Sequence, residues 1–426
     1  MHDLRMVRDQ IDALREGMRR RGALDKLAPM IDRAVGLDQN RRETIQAVEE
    51  RKAERNAASR KIAQLKRGGA ADGVEENQKR SRELGEEIAR LDSELAETEK
   101  ALNAILLDLP NVTLDVVPEG GVERNQVVRE WGKPRAASGV KPHWEIGESL
   151  GLIDFQRGAK ISGSGFIVFR AAGAKLVRAL INFMLDLHVG QHGYEEIWVP
   201  AVVNRDSMIG TSQLPKFEDD MYRLVSEEMF LVPTAEVPVT NLYRDEILNA
   251  AELPKAFTAY SPCFRREAGA HGKDTRGLLR VHQFDKVELV RYAVPDTSDD
   301  ELELLTSQAE KVLQLLELPH RVVRLAAGDI GFASAHTYDL EVFAPGVDAW
   351  LEVSSCSNFT DFQARRAGIR YRPAEGGKPR FIHTLNGSGL AFPRTIAAIL
   401  EHHQQADGSV VVPAALRPYL GVDRLS

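Results

Sequence analysis

A regular spacing of apolar residues near the N-terminus restricts the fold of this 426-residue chain more than any other feature. The apolar side chains recur at steps of four and three residues, at Leu84, Ile88, Leu91, Leu95, Leu102, Ile105 and Leu109. Only Thr98 interrupts the series. Because such steps keep successive side chains on one face of a helix, the pattern predicts a coiled-coil seam.

A weaker helical stripe before this seam predicts a partner helix. It consists of Ile45, Val48, Ala53, Ala57, Ile62 and Leu65. The two stripes are separated by the glycine-rich stretch 68–73, which suits a tight connection between helices. The sequence therefore predicts an antiparallel helical hairpin, or arm, over about residues 38–109.

The two predicted helices of the arm carry opposite charge. The first is basic, with Arg41, Arg42, Arg51, Lys52, Arg55, Arg60, Lys61, Lys66 and Arg67. The second is dominated by Glu and Asp residues between positions 75 and 99. One interpretation is that these charges solvate the arm and pair between its helices. The other is that an arm on the order of 45 Å long grips a large polyanion through phosphate contacts.

Composition indicates a water-soluble enzyme with a large core, since 43% of the residues are hydrophobic and 28% are charged. A net charge of −7 argues against general coating of nucleic acid. Cys263 and Cys356 lack the paired Cys/His spacing of a zinc site, so we expect two reduced thiols and no zinc. The chain has no apolar leader and no membrane-spanning stretch, and we expect it in the cytoplasm.

The stretch 264–288 combines fixed charges with two alternating apolar and polar runs. We predict an antiparallel strand pair whose inward face carries Arg265, Glu267, Arg280 and Glu288, joined by a loop through Gly269, Gly272 and Asp274. Arginine can bind phosphate oxygens through two parallel hydrogen bonds, and a carboxylate can accept from an amino or hydroxyl group. This mixture suits a nucleoside triphosphate beside a small substrate that bears an amino group.

Three further motifs accompany this stretch. Thr234-Ala235-Glu236 lies between two prolines, where the alternative is a capping threonine with a solvated glutamate. A predicted strand carries Glu352 and the hydroxyls of the following serines, and oxygen ligands of this type suit Mg²⁺. Arg394 lies at the predicted start of an amphipathic helix that faces the sheet.

Together these motifs resemble seryl-tRNA synthetases of the bacterial type, a family of class II aminoacyl-tRNA synthetases. The resemblance covers nearly the whole chain. It includes the arm, Thr234-Ala235-Glu236, 264–288, Thr337-Tyr338-Asp339-Leu340-Glu341, 352–366, 383–389 and the tail with Pro413 and Pro418-Tyr419. It implies an α+β fold, in which an N-terminal antiparallel coiled-coil hairpin precedes a catalytic domain built on an antiparallel β-sheet flanked by helices. The implied domains are 1–112, which binds tRNA, and 113–426, which is catalytic.

The resemblance also implies a role for each site residue. Arg265, Glu352 and Arg394 would be catalytic, with Arg265 on the α-phosphate of ATP and Arg394 on the base or the γ-phosphate. The implied ATP-binding set is Arg265, Arg266, Glu267, Arg280, Phe284, Glu352, Val353, Ser354, Ser355 and Arg394. The implied serine-binding set is Thr234, Ala235, Glu236, Glu288 and Ser388. Glu352 and Ser355 would also bind Mg²⁺.

The implied function is serine–tRNA ligation. L-serine and ATP would form seryl-adenylate, and the seryl group would pass to the 3′ end of tRNA(Ser), and also of tRNA(Sec), held by the arm of a homodimer. Two alternatives remain: a ligase that loads an amino acid onto a carrier protein, and a silent relative that only binds RNA. The arm argues against the first, and the retained Arg265, Glu267, Glu288, Glu352 and Arg394 argue against the second.

Overall fold

A computed structural model describes residues 1–68, 73–268 and 276–426. The chain divides into two compact units. The first comprises Met1–Arg19 and Ala23–Pro110, and the second comprises Arg20–Gly22 and Asn111–Ser426. The predicted loop residues Gly269, Gly272 and Asp274, and positions 69–72 of the predicted glycine-rich connection, lie outside the described residues.

The first unit is helical. Its helices are α1 (Leu4–Arg8), α2 (Ile11–Arg20), α3 (Leu24–Arg67) and α4 (Val74–Asp108). The two long helices, α3 and α4, pack against each other, as the predicted hairpin requires. Leu84, Ile88, Leu102 and Ile105 are buried on α4, so the heptad positions form its seam.

The stripe predicted on α3 is partly wrong. Ala53 and Ala57 are exposed, whereas Ala58 is buried and Arg51 is half-buried. The stem of an arginine can cover apolar surface while its charged end reaches solvent or a carboxylate. Arg51 does this, because its Nε donates to Glu87 of α4 at 3.0 Å.

Thr98 occupies a buried seam position, although it breaks the apolar series. Its Oγ1 donates to the backbone carbonyl of Glu94, 2.9 Å away and one turn earlier. This local bond satisfies the hydroxyl without a partner from α3.

The second unit is built on an eight-stranded sheet in the order β1-β11-β12-β13-β16-β10-β9-β4. These strands are β1 (Gln126–Trp131), β4 (Glu195–Glu196), β9 (Lys255–Phe264), β10 (Gln283–Ala293), β11 (His320–Arg324), β12 (His336–Ala344), β13 (Ala349–Asn358) and β16 (His383–Ala391). All neighbouring strands are antiparallel except β4 and β9. The predicted antiparallel sheet is therefore confirmed.

The remaining strands are short and lie outside this sheet. They are β2 (Ile153–Asp154), β3 (Val168–Phe169), β5 (Val202–Asn204), β6 (Arg223–Leu224), β7 (Met229–Leu231), β8 (Ile247–Asn249), β14 (Arg370–Arg372), β15 (Arg380–Phe381), β17 (Val410–Val411) and β18 (Arg424–Leu425).

Nine helices accompany these strands in the described part of the second unit. They are α5 (His143–Ser149), α6 (Phe155–Ser162), α7 (Ala172–Gly190), α8 (Arg205–Gly210), α9 (Glu236–Thr240), α10 (Ser298–Leu315), α11 (Phe362–Ala367), α12 (Phe392–His403) and α13 (Arg417–Leu420). Side chains of α7, α10 and α12 pack with sheet residues in the main hydrophobic core. Within the described ranges, no helix is long and apolar enough to cross a membrane.

The Thr98 hydroxyl yields a prediction about the stability of the arm. Thr98→Val keeps the branched shape and removes a hydroxyl that bonds a carbonyl of its own helix. We expect it to stabilise the α3–α4 hairpin by about 0.5–1 kcal/mol, as seen in slower hydrogen exchange of amides in both helices. Thr98→Ala, the control, should lose about 1 kcal/mol. Faster exchange in Thr98→Val would mean that the hydroxyl contributes more than its burial costs.

Candidate active site

A cavity of about 600 Å³ lies over the central strands β10, β13 and β16. Eight residues predicted from the sequence line it: Thr234, Glu236, Arg265, Glu267, Arg280, Glu352, Ser355 and Ser388. These positions are up to 154 residues apart in the chain; Glu352, Ser355 and Ser388 lie on the neighbouring strands β13 and β16, and the other five lie outside the strands of this sheet. The sequence motifs thus converge on one cavity.

One detail of the predicted strand pair is wrong. β9 ends at Phe264 and β10 begins at Gln283, so Arg265, Glu267 and Arg280 lie in the connecting segment and not on the strands. Only Glu288 lies on a strand. The connecting segment still brings charges together, because Arg280 Nη1 donates to Glu267 Oε2 at 2.7 Å.

Several other predicted residues lie beside the cavity without lining it. The side chains of Ala235 and Val353 are buried in hydrophobic clusters. Ser354 Oγ donates to the carbonyl of Ser388 at 2.7 Å. Arg266 is exposed, and its Nη1 donates to the carbonyl of Asp219 at 3.1 Å.

A buried carboxylate pair lies at one side of the site; Glu236 lines the cavity, and Glu288 lies behind it without lining it. Glu236 accepts from the amides of Gln363 and Asn386, at 2.7 and 2.9 Å. The second amide hydrogen of Asn386 goes to Glu288 at 3.0 Å, so this one side chain joins both carboxylates. The alternative of a solvated Glu236 is therefore wrong, because the side chain is buried.

Thr234 connects the same pair. Its Oγ1 donates to Glu288 Oε2 at 3.0 Å and accepts from the backbone N–H of Glu236 at 3.1 Å. The hydroxyl therefore bonds the backbone N–H of the first residue of α9 and supports the carboxylate pair, whereas the N-cap position itself belongs to Ala235, which makes no side-chain capping bond.

Lys286 is one of three residues bonded to the carboxylate pair that sequence reasoning missed, together with Gln363 and Asn386. It lines the cavity, is buried and pairs with Glu288. The signal was present, since side chains two positions apart on a strand share a face. Two carboxylates beside one ammonium leave an excess of negative charge when both glutamates are ionised.

Burial raises the pKa of Glu236 to about 7, and the like charge of Glu288 contributes to the shift. Gln363, Lys286 and Arg265 act in the opposite direction and favour the ionised form. Glu236 thus titrates near neutral pH in the empty cavity, and a cation placed beside it would favour ionisation.

The arginines form the other part of the site. The Arg265 guanidinium lies 5.1 Å from the centre of the Phe284 ring, a cation–π distance that fixes its orientation. Arg394 Nη1 donates to the carbonyl of Glu352 at 2.7 Å, and its Nε donates to the carbonyl of Leu279 at 3.2 Å. Flat guanidinium groups in fixed positions suit phosphate oxygens.

Oxygen donors that fit a divalent cation lie on β12 and β13. Glu352 is half exposed and Ser355 faces the cavity. Next to them, burial and the charge of Glu352 raise the pKa of Asp339 well above its usual range, and one of its buried carboxylate oxygens has no hydrogen-bond partner in the described structure. Carboxylate and hydroxyl oxygens are ligands that Mg²⁺ accepts together with substrate phosphates. No three His, Cys, Asp or Glu side chains cluster as a metal site within residues 1–68, 73–268 and 276–426.

Comparison with known proteins identifies the class first. Residues 216–403 match the tRNA synthetase class II core domain (G, H, P, S and T), and residues 1–113 match the seryl-tRNA synthetase N-terminal domain. The antiparallel sheet and its cavity thus form the core of a class II aminoacyl-tRNA synthetase.

The particular family follows from full-length relatives. The chain is 63% identical over 424 residues to the serine–tRNA ligase of Gemmatimonas aurantiaca, with 99% of each chain covered. A crystal structure of seryl-tRNA synthetase from Pyrococcus horikoshii complexed with ATP matches with a TM-score of 0.94 and 36% identity, covering 100% of this chain and 99% of that one. The cytoplasmic serine–tRNA ligase of Naegleria fowleri in complex with AMP matches with a TM-score of 0.88 and 28% identity, over 100% and 99% of the chains.

The chain belongs to the seryl-tRNA synthetase family. The resemblance found in the sequence, the fold class and the prediction of a serine–tRNA ligase are confirmed.

The carboxylate pair predicts a measurable titration. In the protein without substrates, Glu236 should titrate with a pKa of about 7, because burial and Glu288 both disfavour its charged form. Glu288→Gln removes the like charge but not the burial, so it should lower this pKa. Carbon-13 NMR of labelled glutamate carboxyls measures both values, and Glu236→Gln identifies the resonance.

The same rise in the pKa of Glu236 determines how the stability of the protein depends on pH. Because the folded pKa lies above the ordinary value of 4.5, this group's contribution to stability is complete below that value and is lost as pH rises through about 7. A Glu236 carboxyl that titrates near 4.5 in the wild type would contradict the electrostatic description of the site.

Proposed function

We propose that the enzyme activates L-serine with ATP in this cavity and then transfers the seryl group to tRNA. The observation that carries the proposal is that the buried carboxylate of Glu236 and the guanidiniums of Arg265 and Arg280 line one cavity. A carboxylate pair suits the ammonium of an amino acid, and guanidiniums suit a triphosphate. The crystal structure of the Pyrococcus horikoshii relative complexed with ATP supports the nucleotide assignment.

The serine would lie against Thr234, the backbone of Ala235, Glu236 and Ser388. Its ammonium would neutralise the excess negative charge beside Glu236. Glu288 would accept the serine hydroxyl: a carboxylate has about four acceptor positions, and Thr234, Lys286 and Asn386 occupy three. An analogue without the hydroxyl would leave a buried acceptor unpaired and bind more weakly.

The ATP would lie against the guanidiniums. In the proposal, Arg265 holds the α-phosphate, Glu267 accepts from the adenine amino group, and Phe284 stacks on the base. Arg394 covers the base or reaches the γ-phosphate. Arg266, Arg280, Val353 and Ser354 complete the ATP-binding set. Arg265 also lies close enough to Glu236 to act on its pKa, so the α-phosphate would sit beside the bound serine.

Glu352 and Ser355 would hold the Mg²⁺ that accompanies ATP, and this ion would supply further positive charge to the phosphates. The serine carboxylate would attack the α-phosphate in line while Arg265 stabilises the charge on the phosphoryl oxygens. Seryl-adenylate forms and pyrophosphate leaves. The terminal ribose hydroxyl of tRNA would then attack the activated carbonyl and release AMP, chiefly through positioning.

The arm, within the proposed domain 1–112, would hold the tRNA through the distal part of its basic face. Arg41, Arg51 and Lys52 pair with Glu99, Glu87 and Asp92 of α4. Further along α3, a second group of basic residues makes no ion pair with any described residue; it comprises Arg55, Arg60, Lys61, Lys66 and Arg67. Pairing between helices thus explains the basic residues nearer the base, and phosphate binding is proposed for those nearer the tip.

Recognition by shape and phosphate does not require the anticodon, so the proposal includes tRNA(Sec) beside tRNA(Ser). We also propose a homodimer whose interface includes α7 and the segment after β4, where Trp198 is 79% exposed. Residues 113–426 would form the catalytic domain of each copy. The reaction is proposed to take place in the cytoplasm, where its three substrates occur together.

Substitution of Arg265 tests the activation step. The wild type should catalyse serine-dependent exchange of pyrophosphate into ATP. Arg265→Ala should lower kcat for this exchange by about 10³-fold, and Arg265→Lys by about 10²-fold, because lysine keeps the charge but not the fork of donors. Arg370→Ala, on β14 outside the cavity, serves as the control and should match the wild type. Exchange driven by another amino acid, or equal rates in all four proteins, would overturn the proposal.

Two quadruple variants test the arm. Replacing Arg60, Lys61, Lys66 and Arg67 by alanine should raise the KM for tRNA about tenfold or more and reduce its salt dependence. Replacing Arg41, Arg42, Arg51 and Lys52 removes the same number of charges from the paired part of α3. This matched variant should change the KM for tRNA by less than about threefold, since its charges are already paired, three of them with α4 and Arg42 with Asp38 of α3 itself. An equal rise in the KM for tRNA in both variants would show that tRNA binding does not distinguish the two regions of α3.

A further inference from the structure

We propose that His143 and Glu401 form a positioning pair that fixes the segment 277–280 and, through it, the Arg280 guanidinium at the cavity. The inference rests on the proposed function, in which Arg280 binds ATP. Neither His143 nor Glu401 lines the cavity, so each would act through the backbone of this segment and not by contact with substrate.

The pair is fully buried between α5 and α12. Glu401 Oε1 accepts from the ring Nδ1 of His143 at 2.7 Å and from its backbone N–H at 3.0 Å. The other carboxylate oxygen accepts from the backbone N–H of Gly346 at 2.8 Å. Three N–H donors therefore satisfy one buried carboxylate, which holds the imidazole in a single orientation.

The second ring nitrogen of His143 points at the segment. Its Nε2 lies 3.0 Å from the backbone nitrogen of Leu278. A backbone N–H can only donate, so Nε2 must be the acceptor and the ring hydrogen must be on Nδ1, facing Glu401. A neutral imidazole thus transmits the position of Glu401 to the Leu278 peptide group.

Helix α12, which carries Glu401, also holds the next peptide group directly. Arg394, on the first turn of α12, donates from Nε to the carbonyl of Leu279 at 3.2 Å. α12 therefore fixes two consecutive residues, one through His143 and one through Arg394. Arg280 follows at once, and its guanidinium lines the cavity and bonds Glu267.

Gly277 shows how closely the segment approaches the imidazole. Its φ is +68°, a value that favours glycine, and a Cβ at this position would overlap Nε2 of His143. The backbone could not take this path with a larger residue unless the ring moved. Contact with His143 is therefore part of the conformation of the segment.

A buried His–Glu pair can also be purely structural, and the chain contains a matched example. His320 is fully buried and its Nε2 lies 3.5 Å from Glu310 without a hydrogen bond to any described residue, and neither residue lines the cavity. Loss of a structural pair would lower the amount of folded protein without a selective effect on one substrate. Loss of a positioning pair would selectively weaken the binding of ATP.

The test compares two substitutions of His143. Asparagine places an amide near the Nδ1 position and keeps the bond to Glu401, but it leaves Leu278 without an acceptor. Glutamine places an amide oxygen near the Nε2 position and can accept from Leu278. We expect H143N to weaken ATP binding and to raise the KM for ATP about tenfold, while the KM for serine changes by less than about twofold.

H143Q should recover ATP affinity to within about threefold of the wild type, and the matched control H320N should leave both KM values within about twofold. Thermal unfolding of every variant shows whether it is folded. ATP affinity is measured by calorimetry without serine, so it is independent of exchange activity.

The possible results separate the two proposals. If folded H143N binds ATP as tightly as the wild type, the positioning role is overturned. It is also overturned if H143N loses ATP binding and serine binding equally, in proportion to a lower unfolding temperature. If the wild type binds ATP but fails to catalyse serine-dependent exchange, only the proposed function is overturned. Calorimetry of ATP binding to H143N then still tests the positioning role of His143. Wild type that does not bind ATP overturns both.

Discussion

The antiparallel pairing of β10 with β16 is the constraint on which the site depends. Its register places Glu288 opposite Ser388, and Asn386 lies two residues before Ser388 on the same face. This register lets one Asn386 amide donate to both Glu236 and Glu288. A slip of one residue would turn Lys286 and Glu288 into the hydrophobic side of the sheet. The cavity therefore exists because the core fixes the register.

The two buried glutamates are costly, and the structure shows how the cost is reduced. Unpaired burial of two carboxylates would be prohibitive, since each loses the hydration of its charge. Lys286, Thr234, Gln363 and Asn386 replace that hydration with donors, and Glu236 responds through a raised pKa. Both glutamates are therefore satisfied in hydrogen bonds, yet their charge still suits a cation.

The sequence predicted those features that have a local pattern. The heptad spacing on α4 predicted the hairpin, because helical periodicity is a property of neighbouring residues. The same reasoning failed at Ala53 and Ala57, which are exposed, whereas Ala58 is buried and Arg51 is half-buried. Sequence reasoning also placed Arg265, Glu267 and Arg280 on strands. The alternation of apolar and polar residues near a strand end does not show where the hydrogen-bonded pairing of the strands stops.

Long-range contacts lay beyond sequence reasoning. Lys286 shares a strand face with Glu288, but its importance appears only when Glu236 is brought from another element. The His143–Glu401 pair joins residues 258 positions apart and had no sequence signal at all. Residues proposed to bind substrate belong to recognisable motifs, whereas residues proposed to position them are scattered and become visible only in the folded chain.

The distribution of charge in the cavity explains why the two substrates would bind in one orientation. Arg280, which lines the cavity, and Arg394, which does not, are already paired with Glu267 and Glu352, so both guanidiniums are held in place without an uncompensated charge. A triphosphate would exchange these carboxylates for phosphate oxygens with little change in arginine position, which is preorganisation. Arg265 has no such carboxylate partner among the described residues and instead lies on Phe284. In the proposed reaction it would therefore be the guanidinium most available for the charge that develops at the α-phosphate, next to the attacking serine carboxylate.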